Sequence, residues 1–94
     1  MDDAMKQDYI EKLTDNLPML RAKLKLTQKE LASIIGVSSY TVLAIEKRQR
    51  KMTWNTFLSL MLIFIGNPET RQVLAALDIY NDDLIDFIEG RKLI

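Results

Sequence analysis

Apolar residues recur along the chain at three- and four-residue spacing, and no stretch alternates residue by residue as a strand would. Tyr9, Ile10 and Leu13 stand near helical spacing among charges, so residues 4 to 15 predict an amphipathic helix or an extension of the next element. Pro18 is best placed in the first turn of a helix that enters at Asn16 or Leu17 and runs to about Lys23, because proline lacks the N–H that a mid-helix position requires. Leu17, Leu20 and Leu24 share one face there.

The next start is fixed more tightly. Thr27 and Glu30 have the Thr-x-x-Glu spacing of a capping box, and Leu26 can staple onto Leu31 across it. Leu31, Ile34 and Ile35 supply the apolar face of this helix, Ala32 suits a close helix crossing, and Gly36 suits the left-handed residue that ends it. Ser38 then caps a third helix, with Val42 and Ile45 pointing inward and Ser39, Tyr40, Leu43, Ala44 and Lys47 outward. Thr53 caps a fourth helix from Trp54 to Ile65, which is apolar on nearly every side and must be covered. Gly66 and Asn67 end it, Pro68 opens a fifth through about Leu77, and Asn81 caps a last short one. Asp82 and Asp83 fall in that helix's first turn, where their charges favour the positive end of the dipole. The pattern predicts an all-α protein, a compact domain of five or six helices without repeat or linker, occupying residues 1–94 as one unit.

Charge changes the picture. The formal net charge is zero, but residues 20 to 53 carry eight cations against two acids, a net +6, while residues 1 to 19 and 54 to 94 carry −3 each. A basic middle between acidic ends suggests one anion-facing surface, with the ends turned elsewhere or toward another protein. With no cysteine and no histidine, disulfides, thiolate nucleophiles, Cys/His metal sites and imidazole acid–base chemistry are all excluded. No catalytic residue, metal or cofactor is expected. Asp82, Asp83, Asp86 and Glu89 read as the polar side of the last helix, since they lack the glycine and spacing of a calcium loop. The acidic start lacks the apolar core of a signal peptide, and the greasiest run, Phe57 to Ile65, falls short of the roughly 20 residues that span a bilayer. A cytoplasmic protein with no membrane partner is expected.

Helix, glycine-centred corner, helix is the helix-turn-helix arrangement, in which the second helix can enter the DNA major groove. Here the residues carry more than geometry. The stretch "LTQKELASIIGVSSYTVLAIEK" resembles the helix-turn-helix family of phage repressors and Cro proteins, the Xre-like group, through Thr27, Gln28, Glu30, Leu31, Ala32, Gly36, Val37, Ser38, Thr41, Val42, Ile45 and Glu46. The resemblance covers residues 17 to about 65 and implies a lambda-repressor-like core, with residues 66–94 left as C-terminal helices for a dimer or partner interface. It also implies that Gln28 meets a DNA phosphate and that Ser39, Tyr40 and Ala44 face base edges. The residues agree for most of these: Gln28 lies beside free N–H groups at a helix N-terminus, and Ser38, Ser39 and Tyr40 lead the helix that would enter the groove. Outward Leu43 could touch a thymine methyl or another chain. Lys29, Lys47, Arg48, Gln49, Arg50 and Lys51 are expected on the phosphates flanking that helix, although a run of cations is by itself usually a solvated surface.

The family pairs the positions of Arg21 and Glu46 across its first and third helices, which implies a structural ion pair here. Two departures stand at Lys25 and Arg48, where the family often has glycine after a helix. Both positions call for unusual backbone angles, and cations there suit a grip on DNA backbone. One short helix reads few base pairs, so a homodimer on a palindromic operator is expected, with two such helices about 34 Å apart. The sequence thus points to a sequence-specific DNA-binding transcriptional regulator, a repressor by resemblance. The alternative is an antitoxin-like interaction module that binds a protein partner through its acidic, apolar C-terminal third.

Overall fold

The computed structural model describes residues 1–90. Among them there are six helices and no strand: α1 (Asp3–Lys23), α2 (Gln28–Ile35), α3 (Ser39–Glu46), α4 (Trp54–Gly66), α5 (Pro68–Ala76) and α6 (Asp82–Ile88). The all-helical fold expected from the apolar spacing is therefore present, at the upper of the two helix counts.

Local chemistry sets most boundaries. Asp2, Thr27, Ser38, Thr53, Asn67 and Asn81 each stand in extended backbone and accept a hydrogen bond from a first-turn N–H, so all six helices begin on a side-chain cap. Thr27 and Glu30 close a reciprocal capping box, the Thr27 N–H donating to Glu30 Oε1 at 2.9 Å and the Glu30 N–H to Thr27 Oγ1 at 3.0 Å. These bonds hold the Glu30 carboxyl below its ordinary range. Gly36 ends α2 at φ +80°, and its N–H and that of Val37 both return to the Ala32 carbonyl.

Two expectations are corrected. Residues 4 to 15 are continuous with the next element, as one of the two expectations had it, but Pro18 lies inside α1 and not in the first turn of a helix entered at Asn16 or Leu17. Tyr9, Ile10, Leu13, Leu17 and Leu20 are all buried along this one helix. Each large apolar side chain so buried contributes about 1.5–3 kcal/mol, which together outweighs the ~3 kcal/mol that a mid-helix proline costs. Ile34, assigned to the apolar face of α2, is 57% exposed. It stands two residues beyond fully buried Ala32, about 200° round the helix.

α1 is the spine: it packs against α3, α4 and α5, while α2 packs on α3 and α4. Leu31, Val42, Ile45, Phe57, Leu60, Met61, Phe64, Leu74, Ile79 and Leu84 meet its apolar face in one core. Thr70 is the buried polar residue of that core, and its hydroxyl donates to the Phe64 carbonyl at 2.6 Å, satisfying a carbonyl at the end of α4. The far end is tied back to the start: the Tyr9 hydroxyl donates at 2.8 Å to Asn81 Oδ1, which also caps α6. Burial pushes the Tyr9 hydroxyl above its ordinary pKa. Trp54 stacks on Phe57 at 4.7 Å between ring centres, meets Phe87 edge-on at 5.9 Å, and lies under the Lys6 ammonium at 5.6 Å, linking α4 to α6 and α1.

Candidate nucleic-acid interface

The α2–α3 corner is held from behind by one polar cluster. The Arg21 guanidinium grips Glu46 with two parallel bonds, Nε to Oε2 at 2.8 Å and Nη2 to Oε1 at 3.0 Å, and its Nη1 donates to the Leu26 carbonyl at 3.0 Å. Gln28 Nε2 adds a bond to Glu46 Oε1 at 2.9 Å. A single carboxylate at the end of α3 therefore joins α1 and the start of α2, and Arg21 ties the Leu26 turn to the same cluster. Burial pushes the Glu46 carboxyl up, but the bonds from Arg21 and Gln28 and the Arg21 charge outweigh it and hold the group below the ordinary carboxylate range. The hydrogen bonds to Glu46 and its charge hold the Arg21 guanidinium above its ordinary value. The expected Arg21–Glu46 pair is thus present, with Gln28 as an additional member.

In front of this cluster lies a shallow hollow of about 510 Å³ lined by Thr27, Gln28, Lys29, Ser39, Tyr40 and Leu43. It brings together candidates for phosphate contact, Gln28 and Lys29, and candidates for base contact, Ser39, Tyr40 and Leu43. Tyr40 is 64% exposed, a large aromatic held out on the leading turn of α3. Ser38, beside it, uses its hydroxyl to cap α3, accepting from the Thr41 N–H at 3.1 Å and sharing a hydrogen bond with the Thr41 hydroxyl.

Ala44 requires correction. It was expected at the base-facing surface but is 2% exposed. α3 is covered from two sides, by α2 and by α1, so its buried sector extends beyond Val42 and Ile45 and takes in Ala44.

The basic loop divides. Lys47, Gln49 and Lys51 are exposed. Arg48 turns toward α1, where its guanidinium pairs with Asp15 and, at 3.7 Å, with Glu11. Arg50 and Lys51 share a small hollow with Glu11, Thr14 and Arg48, and Arg50 Nη1 reaches the Thr41 hydroxyl at 3.3 Å. The acids of α1 beside the basic loop were missed because residues 11 and 48 are far apart in sequence and nothing local couples them. Lys25 and Arg48 adopt φ +57° and +59°, the left-handed angles expected where glycine is replaced; Asp78 does the same at +59°, which the sequence did not signal.

Among the described residues no group of three or more acidic, histidine or cysteine side chains could hold a metal ion, and no helix is long and apolar enough to cross a membrane. Comparison with protein-family models, with curated proteins and with solved structures finds no match for this chain.

Proposed function

We propose that this chain is a sequence-specific DNA-binding regulator that acts as a repressor, inserting the leading turn of α3 into the major groove at a palindromic operator as a homodimer. The observation that carries this is one hollow in which the α2 N-terminus, with Gln28 and Lys29, flanks the exposed Ser39 and Tyr40 and the half-buried Leu43 of α3. Backbone N–H groups and a cation on one side suit a phosphate, and an exposed aromatic and hydroxyl on the other suit base edges. The exposed Lys29, Lys47 and Lys51 add positive charge on and after these two helices, which favours a polyanion there. No catalytic role is assigned to any residue.

The test is selection of bound sequences from random duplex DNA, followed by affinity against salt. Tyr40→Ala should change the preferred sequence. Removing a phosphate-contacting cation, as in Lys29→Ala, should weaken binding to all sequences and flatten the log–log salt slope by about 0.9. No detectable binding to any duplex at low ionic strength would refute the proposal. One observation favours a second mode, contact with a protein through the C-terminal helices: an apolar groove between α4 and α6, lined by no residue of α2 or α3.

A further inference from the structure

Glu46 stands behind the hollow and cannot itself serve a duplex. Its side chain is 7% exposed, and a carboxylate repels a phosphate. Its two oxygens are taken by three N–H donors: Oε2 accepts from Arg21 Nε, and Oε1 accepts from both Arg21 Nη2 and Gln28 Nε2. Arg21 is locked in turn by its bond to the Leu26 carbonyl. The carboxylate is therefore oriented from α1, and it presents one acceptor to Gln28.

That acceptor decides how the Gln28 side chain is turned. A primary amide carries two N–H donors on its nitrogen and an acceptor oxygen opposite, whereas a carboxylate only accepts. The nitrogen of Gln28 must face Glu46, at 2.9 Å, which turns the amide oxygen away and leaves a second N–H to donate. The same half-buried side chain lines the hollow next to exposed Lys29. An unanchored amide would offer its oxygen in one of its two flipped orientations, and an oxygen acceptor repels a phosphate.

We propose that Glu46, held by Arg21, is a positioning residue for duplex binding: it fixes the Gln28 amide by its nitrogen, so that the remaining N–H serves a phosphate at the start of α2. This rests on the DNA-binding reading of the same hollow. A purely structural pair would act on the whole α2–α3 corner, whereas a positioning pair acts through Gln28 alone. The test replaces the pair by apolar residues, Arg21→Met with Glu46→Leu, which removes one charge of each sign and leaves no buried charge unpaired. Net charge, and with it long-range attraction to the duplex, is unchanged.

Affinity is measured at fixed salt for one duplex selected by the wild type. Gln28→Ala should weaken binding by at least about tenfold, the worth of a hydrogen bond to a charged group. The pair variant should lose about as much, and adding Gln28→Ala to it should cost nothing further. Lys29→Ala should cost the same in either background. Without DNA, the side-chain amide of Gln28 in a nitrogen–proton correlation spectrum should stand apart from those of exposed Gln7, Gln49 and Gln72, and should move toward them in the pair variant. A folded pair variant that binds as the wild type does overturns the positioning role, and so do losses that simply add. A wild-type Gln28 amide that coincides with the exposed ones overturns it too, even if the pair variant fails to fold. A wild type that binds no duplex brings down the proposed function as well; the other results bring down the positioning role alone.

Discussion

Replacing Glu46 with alanine should destabilise the chain far more than a surface substitution, because the carboxylate is the common acceptor for α1 and α2. Its side chain is 7% exposed and that of Arg21 20% exposed. Breaking a buried pair by removing one partner costs about 3–5 kcal/mol, most of it from the charge left behind. Arg21 keeps the Leu26 carbonyl and some solvent, which places the loss nearer 2–3 kcal/mol. For a domain of this size each kcal/mol shifts the melting temperature by about 4–8 °C, so Glu46→Ala should melt roughly 10–20 °C lower. The assay is thermal melting followed by circular dichroism at neutral pH. A melt within about 4 °C of the wild type would show that Arg21 rehydrates and that the cluster adds little. A normal melt with lost DNA binding would reassign Glu46 to the interface. The pH dependence gives an independent check. The folded Glu46 pKa lies below its ordinary value of about 4.3, so its contribution is complete above that value and is lost as pH falls through the folded pKa. Glu46→Gln lacks this component, and the gap between its melting curve and that of the wild type should narrow as pH drops below about 4; a gap that stays constant would contradict the assignment.

Four further outcomes follow from the backbone and the basic loop. Pro18→Ala should restore the N–H that α1 lacks and raise stability by about 1–3 kcal/mol, net of the unfolded-state entropy that alanine regains; a lower urea midpoint would mean that the ring makes packing contacts the helix needs. Lys25→Gly should stabilise by about 0.5–1 kcal/mol, since relief of the left-handed angle exceeds the added chain entropy. Arg48→Gly should gain less, because it also gives up half-exposed pairs with Asp15 and Glu11 worth about 0.2–1 kcal/mol each, and titration in urea should rank the two in that order. Asp15→Asn combined with Glu11→Gln removes the carboxylates that hold Arg48 on α1; duplex affinity should rise and its salt dependence steepen by about one contact, and an unchanged slope would show that Arg48 does not reach the phosphates.

The parts of the fold legible in the sequence are those set by neighbours in the chain. Thr27 with Glu30, Ser38, Thr53 and Asn81 announce their helices because a cap is a contact over two or three residues. Gly36 marks the corner for the same reason. Where the answer depends on what packs from elsewhere, local rules mislead. Pro18 signals a helix start, but the buried face from Tyr9 to Leu20 carries the helix through it. Periodicity alone does not show that α3 is covered on two sides, so Ala44 is read as outward, nor that Ile34 lies on the uncovered side of α2. The site divides similarly: the hollow around Tyr40 follows from the helical register, whereas Arg48 against Asp15, Tyr9 on Asn81 and the α4–α6 groove are tertiary meetings without a short-range signature.

Trp54 is the single tryptophan of the chain, and its ring sits where α1, α4 and α6 converge. Its ultraviolet emission is therefore a built-in gauge of whether the last helix is seated. Peeling α6 away would strip Phe87 from the indole while leaving Phe57 in place, giving a red shift before the rest of the molecule opens. An unlabelled sample in a fluorimeter can thus follow the C-terminal segment separately from the α2–α3 corner.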